Sequence, residues 1–286
     1  MEDLREVHNQ LLDILIEFDR ICKKHNLKYT LAWGTMLGAV RHGGFIPWDA
    51  DIDVLMMRDE YEKFCKICPK EVKDGYFFQT KETEKAYRYN VGRLRKNNTA
   101  LIYRTWKNAG FHQGIYIDIQ PLDNIPDNNI KRYIQDFFII INTPVRLSQN
   151  PVLFKENGES FNKFLKSALF LFAKIMPKKL CEKIEYHYIT KYNNKPCKKI
   201  GVICEGGVLL HTTRDMIPFN SEYMSEFGEI EFEGRKFMCV KATDELLKVW
   251  YGDYMSLPPE EDRHPDHDPL VFDPCNSYEK YLKEGV

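Results

Sequence analysis

No run in this sequence reaches the roughly 18 consecutive apolar residues that a membrane-spanning helix needs, so an integral membrane protein is not expected. Residues 1–10 are charged and carry no apolar segment of the kind a secretory leader requires. A strong charge of either sign is missing too. The 41 basic side chains meet 42 acidic ones, and the net charge of −1 gives no general pull toward nucleic acid. Cysteines are scattered. Cys65 and Cys68 form the only Cys-x-x-Cys pair, and no second close pair completes a zinc site. They read as reduced thiols of a cytosolic protein, with a redox or metal role as the alternative. Internal repeats and low-complexity linkers are absent. What is present describes a folded chain: 13% aromatic and 29% charged residues exclude a disordered one, and 286 residues suffice for a substantial core.

Leu4, Val7, Leu11, Leu12, Leu15, Phe18 and Ile21 recur at helical spacing and predict an amphipathic helix over 4–25. A strand is expected at 28–33, then short helices at 36–40 and 59–66. Strands follow at 76–80, 89–96 and 114–120. The middle, 128–192, reads as mainly helical. Residues 228–240 read as a hairpin turning at Glu233-Gly234. Thr243 is a plausible cap for a helix over 244–251, and Pro258-Pro259 then opens a polar tail.

The most informative stretch is residues 31–56. It ends in Asp49-Ala50-Asp51-Ile52-Asp53-Val54, with a carboxylate at every second position. Alternate side chains of a strand share a face. Asp49, Asp51 and Asp53 should therefore project together, with Ile52, Val54 and Met56 in the core. Carboxylates crowded on one face repel strongly unless a positive charge sits among them. Hard oxygen ligands favour Mg²⁺, Mn²⁺ or Ca²⁺ over Zn²⁺. The plain alternative is a polar face turned to water. Trp48, Ile52, Val54 and Leu55 weigh against it by placing apolar bulk beside the acids.

Gly34-Thr35 follows the apolar run 29–33 and precedes a helical pattern. Backbone N–H groups and a hydroxyl at such a step can hold phosphate oxygens. Strand, Gly-Thr, helix and acidic strand, in that order, is the layout of the nucleotidyltransferase fold. Such sites take a third carboxylate from a neighbouring strand, and Asp118 in GIYIDI is the candidate. The expected fold class is α/β (α+β): a nucleotidyltransferase-like core with a mixed sheet and flanking helices, plus a mainly helical middle insertion.

The run from Gly34 to Val54, GTMLGAVRHGGFIPWDADIDV, resembles the LicD family of phosphorylcholine transferases and the related fukutin-type proteins. The likeness extends to GIYIDIQPLD at 114–123 and YGDYMSLPPEEDRH at 251–264. Residues 126–200 carry no matching motif. Residues 41–48 lengthen the gap between Thr35 and Asp51, as is typical of this family rather than of nucleotidyltransferases at large. The resemblance implies one family domain, with a core at 1–125, a helical insertion at 126–200 and a C-terminal part at 201–286 packing back on the core. It also implies that the loop with Arg41 and His42 lines the donor pocket.

Other candidates carry alternatives. Arg93 and Arg95 lie two apart on one strand and suit diphosphate oxygens, or else face water from an edge strand. Gly43-Gly44 would let backbone approach a ligand. Trp48 stacks on a base or the choline head, or anchors the loop. Arg263 and His264, with His267 and Asp268 close by, suit a phosphate or acceptor role or form a surface tail. His112 reads as structural. Finally, an apolar helical stripe over 161–176, flanked by Lys163, Lys166 and Lys174, is either core or a face lying on an anionic membrane.

The resemblance implies a metal-dependent enzyme that moves phosphocholine, or a similar phosphoalcohol, from CDP-choline or another CDP-alcohol. The acceptor would be a sugar hydroxyl of a cell-surface glycan such as teichoic acid or lipopolysaccharide, and CMP would leave. Asp51, Asp53 and Asp118 would be catalytic and hold Mg²⁺ or Mn²⁺. Gly34, Thr35 and Asp49 would serve the donor. The expected location is cytoplasmic, with peripheral contact at the inner membrane face if the acceptor is lipid-linked. Two rivals remain: a nucleotidyltransferase releasing pyrophosphate, and a non-catalytic glycan-binding relative.

Overall fold

A computed structural model describes residues 4–152, 173, 175–206, 217–264 and 269–284. The 161–176 stripe lies outside these residues except for Ala173, Ile175 and Met176, as do Lys163, Lys166, Lys174, His267 and Asp268.

The first helix, α1 (Arg5–Lys24), forms as its spacing predicts. Leu11, Ile14, Leu15, Phe18, Ile21 and Cys22 are buried on one face, and Lys23 and Lys24 suit the negative end of its dipole. It packs against a central mixed sheet with strand order β1-β2-β6-β4-β3. These strands are β1 (Thr30–Leu31), β2 (Asp53–Met57), β3 (Tyr76–Gln79), β4 (Gly92–Lys96) and β6 (Tyr116–Ile125). β2 and β6 run parallel, while β4 joins β6 antiparallel. Helix α2 (Trp33–His42) links β1 to the loop before β2, and α3 (Arg58–Glu71) follows β2. Val7 at one end of the chain and Trp250 near the other belong to one contiguous core. This is the α+β, nucleotidyltransferase-like arrangement expected.

β6 is long because it serves three partners. Its start pairs with β4, its middle with β2, and Asp123–Ile125 with β7 (Lys199–Gly201), which continues to β8 (Phe219–Asn220). Two helices of the middle, α4 (Asn129–Leu147) and α5 (Lys178–Thr190), pack on each other. A buried ion cluster joins them, with Arg146 between Glu185 at 2.9 Å and Glu205 at 3.0 Å.

The hairpin β9 (Phe227–Phe232) and β10 (Arg235–Val240) turns on Glu233 and Gly234, both with positive φ (52° and 68°), as a primed two-residue turn requires. Its tip braces the loop after α2. The Glu233 N–H donates to Gly43 O, and the Glu233 carboxylate accepts from the Phe45 N–H, both at 2.9 Å. A Cβ on Gly44 would lie 2.0 Å from Glu233 Oε1, so this glycine admits the hairpin tip rather than a ligand. That corrects the expected role of Gly44.

Several boundaries differ from expectation, among them the strand expected at 28–33, which is only Thr30–Leu31, and the helix expected at 36–40, which already takes in Trp33; three others have a visible cause. The acidic strand begins only at Asp53, because two-residue β1 pairs with Leu55 and Val54 and leaves the earlier residues without an outer partner. In α6 (Thr243–Tyr251), Thr243 lies inside the helix, its hydroxyl donating to Val240 O, and Gly252 ends the helix before the prolines. The segment beyond Pro259 is not wholly a tail. β11 (Val271–Asp273) pairs with β5 (Ala100–Ile102), and α7 (Tyr278–Glu284) follows.

Cys65 and Cys68 are free thiols. Burial pushes both up, Cys65 to about 12, which makes them poor nucleophiles. His112 is structural, as expected. Its Nδ1 accepts from the Gly114 N–H at 3.0 Å and its ring stacks on Phe77. Burial, then the Arg95 charge, pulls it down to about 3 from 6.5. The folded state therefore holds a neutral ring that the unfolded chain would protonate. That contribution is complete above pH 6.5 and is lost as pH falls toward 3. His112→Gln should flatten the acid-side loss of stability, by on the order of 3 kcal/mol in urea unfolding at stepped pH. An equally steep loss in the variant would place the acid sensitivity elsewhere.

Candidate active site

Asp53 on β2 sits opposite Asp118 on β6, and Asp118 sits opposite Arg93 on β4. In-register residues of adjacent strands share a face, so the sheet carries a row of two acids and one arginine. Arg93 Nε donates to Asp118 Oδ1 at 2.7 Å. Gln120, two residues on from Asp118, donates to Asp53 Oδ1 at 3.2 Å. The Arg93 guanidinium lies 4.2 Å from the Tyr116 ring and 4.4 Å from that of Trp106. Burial works against its charge, but Asp118 and the surrounding phenols outweigh it and hold the guanidinium firmly protonated. Burial, with the Asp51 and Asp118 carboxylates, pushes Tyr103 up to about 12 against the pull of Arg93. Tyr103 thus belongs to the same electrostatic neighbourhood.

In front of this row lies a cavity of about 560 Å³. Trp33, Gly34, Leu37 and Arg41 line it from α2, and Ile46, Trp48, Asp49, Asp51 and Asp53 from the loop and strand that follow. The far wall is the segment from Tyr251 to His264, including Asp253 and Asp262. Asp118 is not itself a lining residue; it stands behind Asp53 in the row.

The loop that delivers the acids is held from several sides. His8 of α1 stacks on Phe45 at 4.1 Å and its Nε2 bonds Asp49 O at 2.7 Å. Thr35 is buried, and its hydroxyl oxygen accepts from the Asp53 N–H at 3.0 Å. Its oxygen therefore positions the acidic strand, where the sequence suggested a hydroxyl facing phosphate. Trp33 adopts a left-handed backbone (φ 41°), an uncommon state for a bulky residue, as the chain turns into α2. The α2 N-terminus presents Gly34 to the cavity, and a Cβ there would lie 2.4 Å from Asp49 Oδ2. A carboxylate suits that end of a helix, where N–H groups lack intrahelical partners.

The remaining candidates divide. Arg41 donates to Tyr254 O at 3.0 Å and so fastens the far wall to α2. Arg263 stacks over Trp48 at 5.7 Å, and His42 meets the same ring edge-on at 6.2 Å. His264 lines the cavity. Arg95 is the correction. It is fully buried, donating to Gln79 Oε1 and Gly114 O, both at 2.6 Å. Burial and the Arg93 charge pull it down to about 10. Neither a two-arginine phosphate clamp nor a solvated edge strand describes this pair, since β4 lies inside the sheet. Sequence reasoning missed Tyr103, Trp106, Tyr116 and Gln120, as well as Tyr251, Asp253 and Tyr254. Only the resemblance over 251–264 signalled the last three.

Arg93→Ala should lower turnover roughly 10–100-fold by releasing Asp118, the scale of a hydrogen bond to a charged group. Arg95→Met should leave substrate binding within about two-fold of wild type while lowering the melting temperature. Steady-state kinetics and titration calorimetry separate the two. A lost substrate affinity confined to the Arg95 variant would reverse these assignments.

A mixed sheet bearing paired carboxylates beside a helix N-terminus defines a nucleotidyltransferase-like enzyme, and the comparisons agree. The profile described as LicD/FKTN/FKRP, nucleotidyltransferase domain, matches residues 26–136. The lipopolysaccharide cholinephosphotransferase LicD of Haemophilus influenzae is 34% identical over 273 residues, covering 92% of this chain and 96% of that protein. Uncharacterized proteins of Rickettsia typhi and Rickettsia prowazekii match shorter stretches, at 38% over 66 residues and 36% over 77. These cover 23% and 27% of this chain, and 21% and 28% of those proteins. The chain belongs to the LicD family, and it is a transferase.

Proposed function

We propose that this protein transfers phosphocholine, or a similar phosphoalcohol, from a CDP-alcohol to a sugar hydroxyl of a cell-surface glycan. The acceptor is lipopolysaccharide or teichoic acid in this reading, and CMP is released. The observation that carries it is the Asp53–Asp118–Arg93 row, with Asp51 and Asp49 at the cavity in front. The H. influenzae relative's name supplies the transferred group and one acceptor.

The donor set fits Mg²⁺ or Mn²⁺ by its chemistry, since Asp51, Asp53 and Asp118 offer only hard carboxylate oxygens. Among the described residues no group of three or more His, Cys, Asp or Glu side chains is arranged to hold a metal ion, so these acids would have to draw together around one. The need for a cation is electrostatic. The cavity wall holds Asp49, Asp51, Asp53, Asp253 and Asp262 against Arg41, so a diphosphate meets mostly like charge. A bound divalent ion would offset that repulsion and stabilise the departing CMP.

The chain's own groups do the rest. The Gly34 end of α2 and Arg41 hold donor phosphate oxygens, and Arg263 and His264 serve the phosphate or the acceptor. Trp48 stacks on the base or holds the choline head through its ring face. The carboxylate set of Asp51, Asp53 and Asp118, the last oriented by Arg93, takes the acceptor proton as the sugar oxygen bonds to phosphorus and the bridging oxygen leaves with CMP. The three-part division of the chain and a site at the inner membrane face belong to this proposal. No helix among the described residues is long and apolar enough to cross a membrane.

Incubation with a panel of CDP-alcohols and a glycan acceptor tests the reading. CMP release that depends on both substrates supports it. Pyrophosphate release would point to nucleotidyl transfer, and no release with any donor would point to a binding protein.

A further inference from the structure

Helix α4 is built inside out. Its inner face carries Gln135, Asp136, Asn142 and Arg146, all buried, beside Ile139 and Val145. Its outer face carries Ile130, Tyr133, Ile134 and Phe137, which are 70, 51, 42 and 56% exposed. These positions fall on one stripe of a 3.6-residue helix, and half-buried Ile141 extends it. Rotation cannot bring the stripe inward, because the inner polar groups are engaged. Gln135 Nε2 donates to Tyr188 O at 3.0 Å and Arg146 Nε to Glu185 Oε2 at 2.9 Å, both partners on α5.

The surroundings are basic. Asp136 is the one acid of α4, and it is buried. From residue 186 to 204 the chain has no acid, while Lys195, Lys198 and Lys199 are exposed and Lys191 is half-buried. This segment is tied to the start of α4, where the Lys198 N–H donates to the exposed Asp127 at 3.0 Å. Exposed Lys131 lies on the helix itself. At the other end, α5 opens with exposed Lys178, Lys179 and Leu180.

We propose that the outer face of α4 is the surface on which this protein rests against an anionic lipid bilayer. An apolar stripe with exposed lysines on its helix and on the segments joined to that helix matches an interfacial helix, with side chains entering the acyl boundary and ammonium groups at the phosphates. The buried polar side keeps the helix parallel to the membrane plane, since those groups have no partners in hydrocarbon. A second copy is a poorer occupant, because it would set lysines against lysines with few acids to answer them. This surface deepens the peripheral contact proposed above and is independent of the transfer chemistry.

Co-sedimentation of the full chain with phosphatidylcholine–phosphatidylserine vesicles, without donor or acceptor, tests it. Binding is expected at low salt, weaker in high salt and weaker still with phosphatidylcholine alone. The double variant Ile134→Ser/Phe137→Ser should lose at least about ten-fold in partition, and Lys131→Glu a smaller factor. Fluorescence of Phe137→Trp should be quenched by lipid brominated on the acyl chain. Four results would overturn the proposal. Wild-type protein could stay in the supernatant, or the serine variant could bind as well as wild type. The serine variant could lose folding stability with unchanged binding, which would mean that the chain itself covers the face. A vesicle-independent dimer dissolved by the variant would assign the face to a second copy. A negative vesicle result leaves CMP release to stand or fall separately.

Discussion

Replacing Asp53 or Asp51 by asparagine is expected to lower turnover by at least ~100-fold while leaving the fold intact. Asparagine keeps the volume and an acceptor oxygen, so the Gln120 contact to Asp53 can survive. What goes is one negative charge at the point where the proposed cation and the reacting phosphate meet. Asp49 is the internal control. Its carboxylate lies against Gly34 at the helix N-terminus, so Asp49→Asn should have a smaller effect, expressed mainly in donor affinity. Circular dichroism and melting curves establish that the variants fold, and initial rates at stepped Mg²⁺ give the effect. Near wild-type turnover of the Asp53 variant at ordinary Mg²⁺ would remove that residue from the site.

The acids were legible in the sequence because period-2 spacing is a local signal. Asp51 and Asp53 reach the same cavity even though only Asp53 lies on the strand. Asp118 was legible from its β-branched, aromatic surroundings, though its register opposite Asp53 was not. The arginines show where local reasoning stops. Alternation places Arg93 and Arg95 on one face, but what covers each end of that face depends on distant chain. Asp118 and the Trp106 ring meet Arg93, while the Gly114 carbonyl and Gln79 close over Arg95. The far wall of the cavity is about 200 residues beyond the acids, and no periodicity encodes that meeting. Strands β5 and β11, three residues each, are too short for a pattern and exist because they pair with each other.

The second large effect concerns stability and should leave catalysis nearly untouched. Asp123 ends the stretch of β6 that begins with Asp118, and its carboxylate takes a two-pronged bond from Arg58 at the start of α3, at 2.9 and 2.5 Å. Asn193 donates to the same carboxylate at 2.7 Å. Asp123 is fully buried and Arg58 nearly so. Removing one charge from such a pair leaves the other in a low-dielectric site without an answer, so Asp123→Ala should cost roughly 3–5 kcal/mol in urea unfolding. Replacing both partners by apolar residues removes the stranded charge. The double variant Arg58→Met/Asp123→Leu should therefore recover at least about half of that loss. Because the pair fixes β6 against α3 without reaching the cavity, the alanine variant should keep turnover within about three-fold at temperatures where it is folded. If the alanine variant instead lost turnover without losing stability, Asp123 would act in the reaction and not in the frame that holds Asp118 in place.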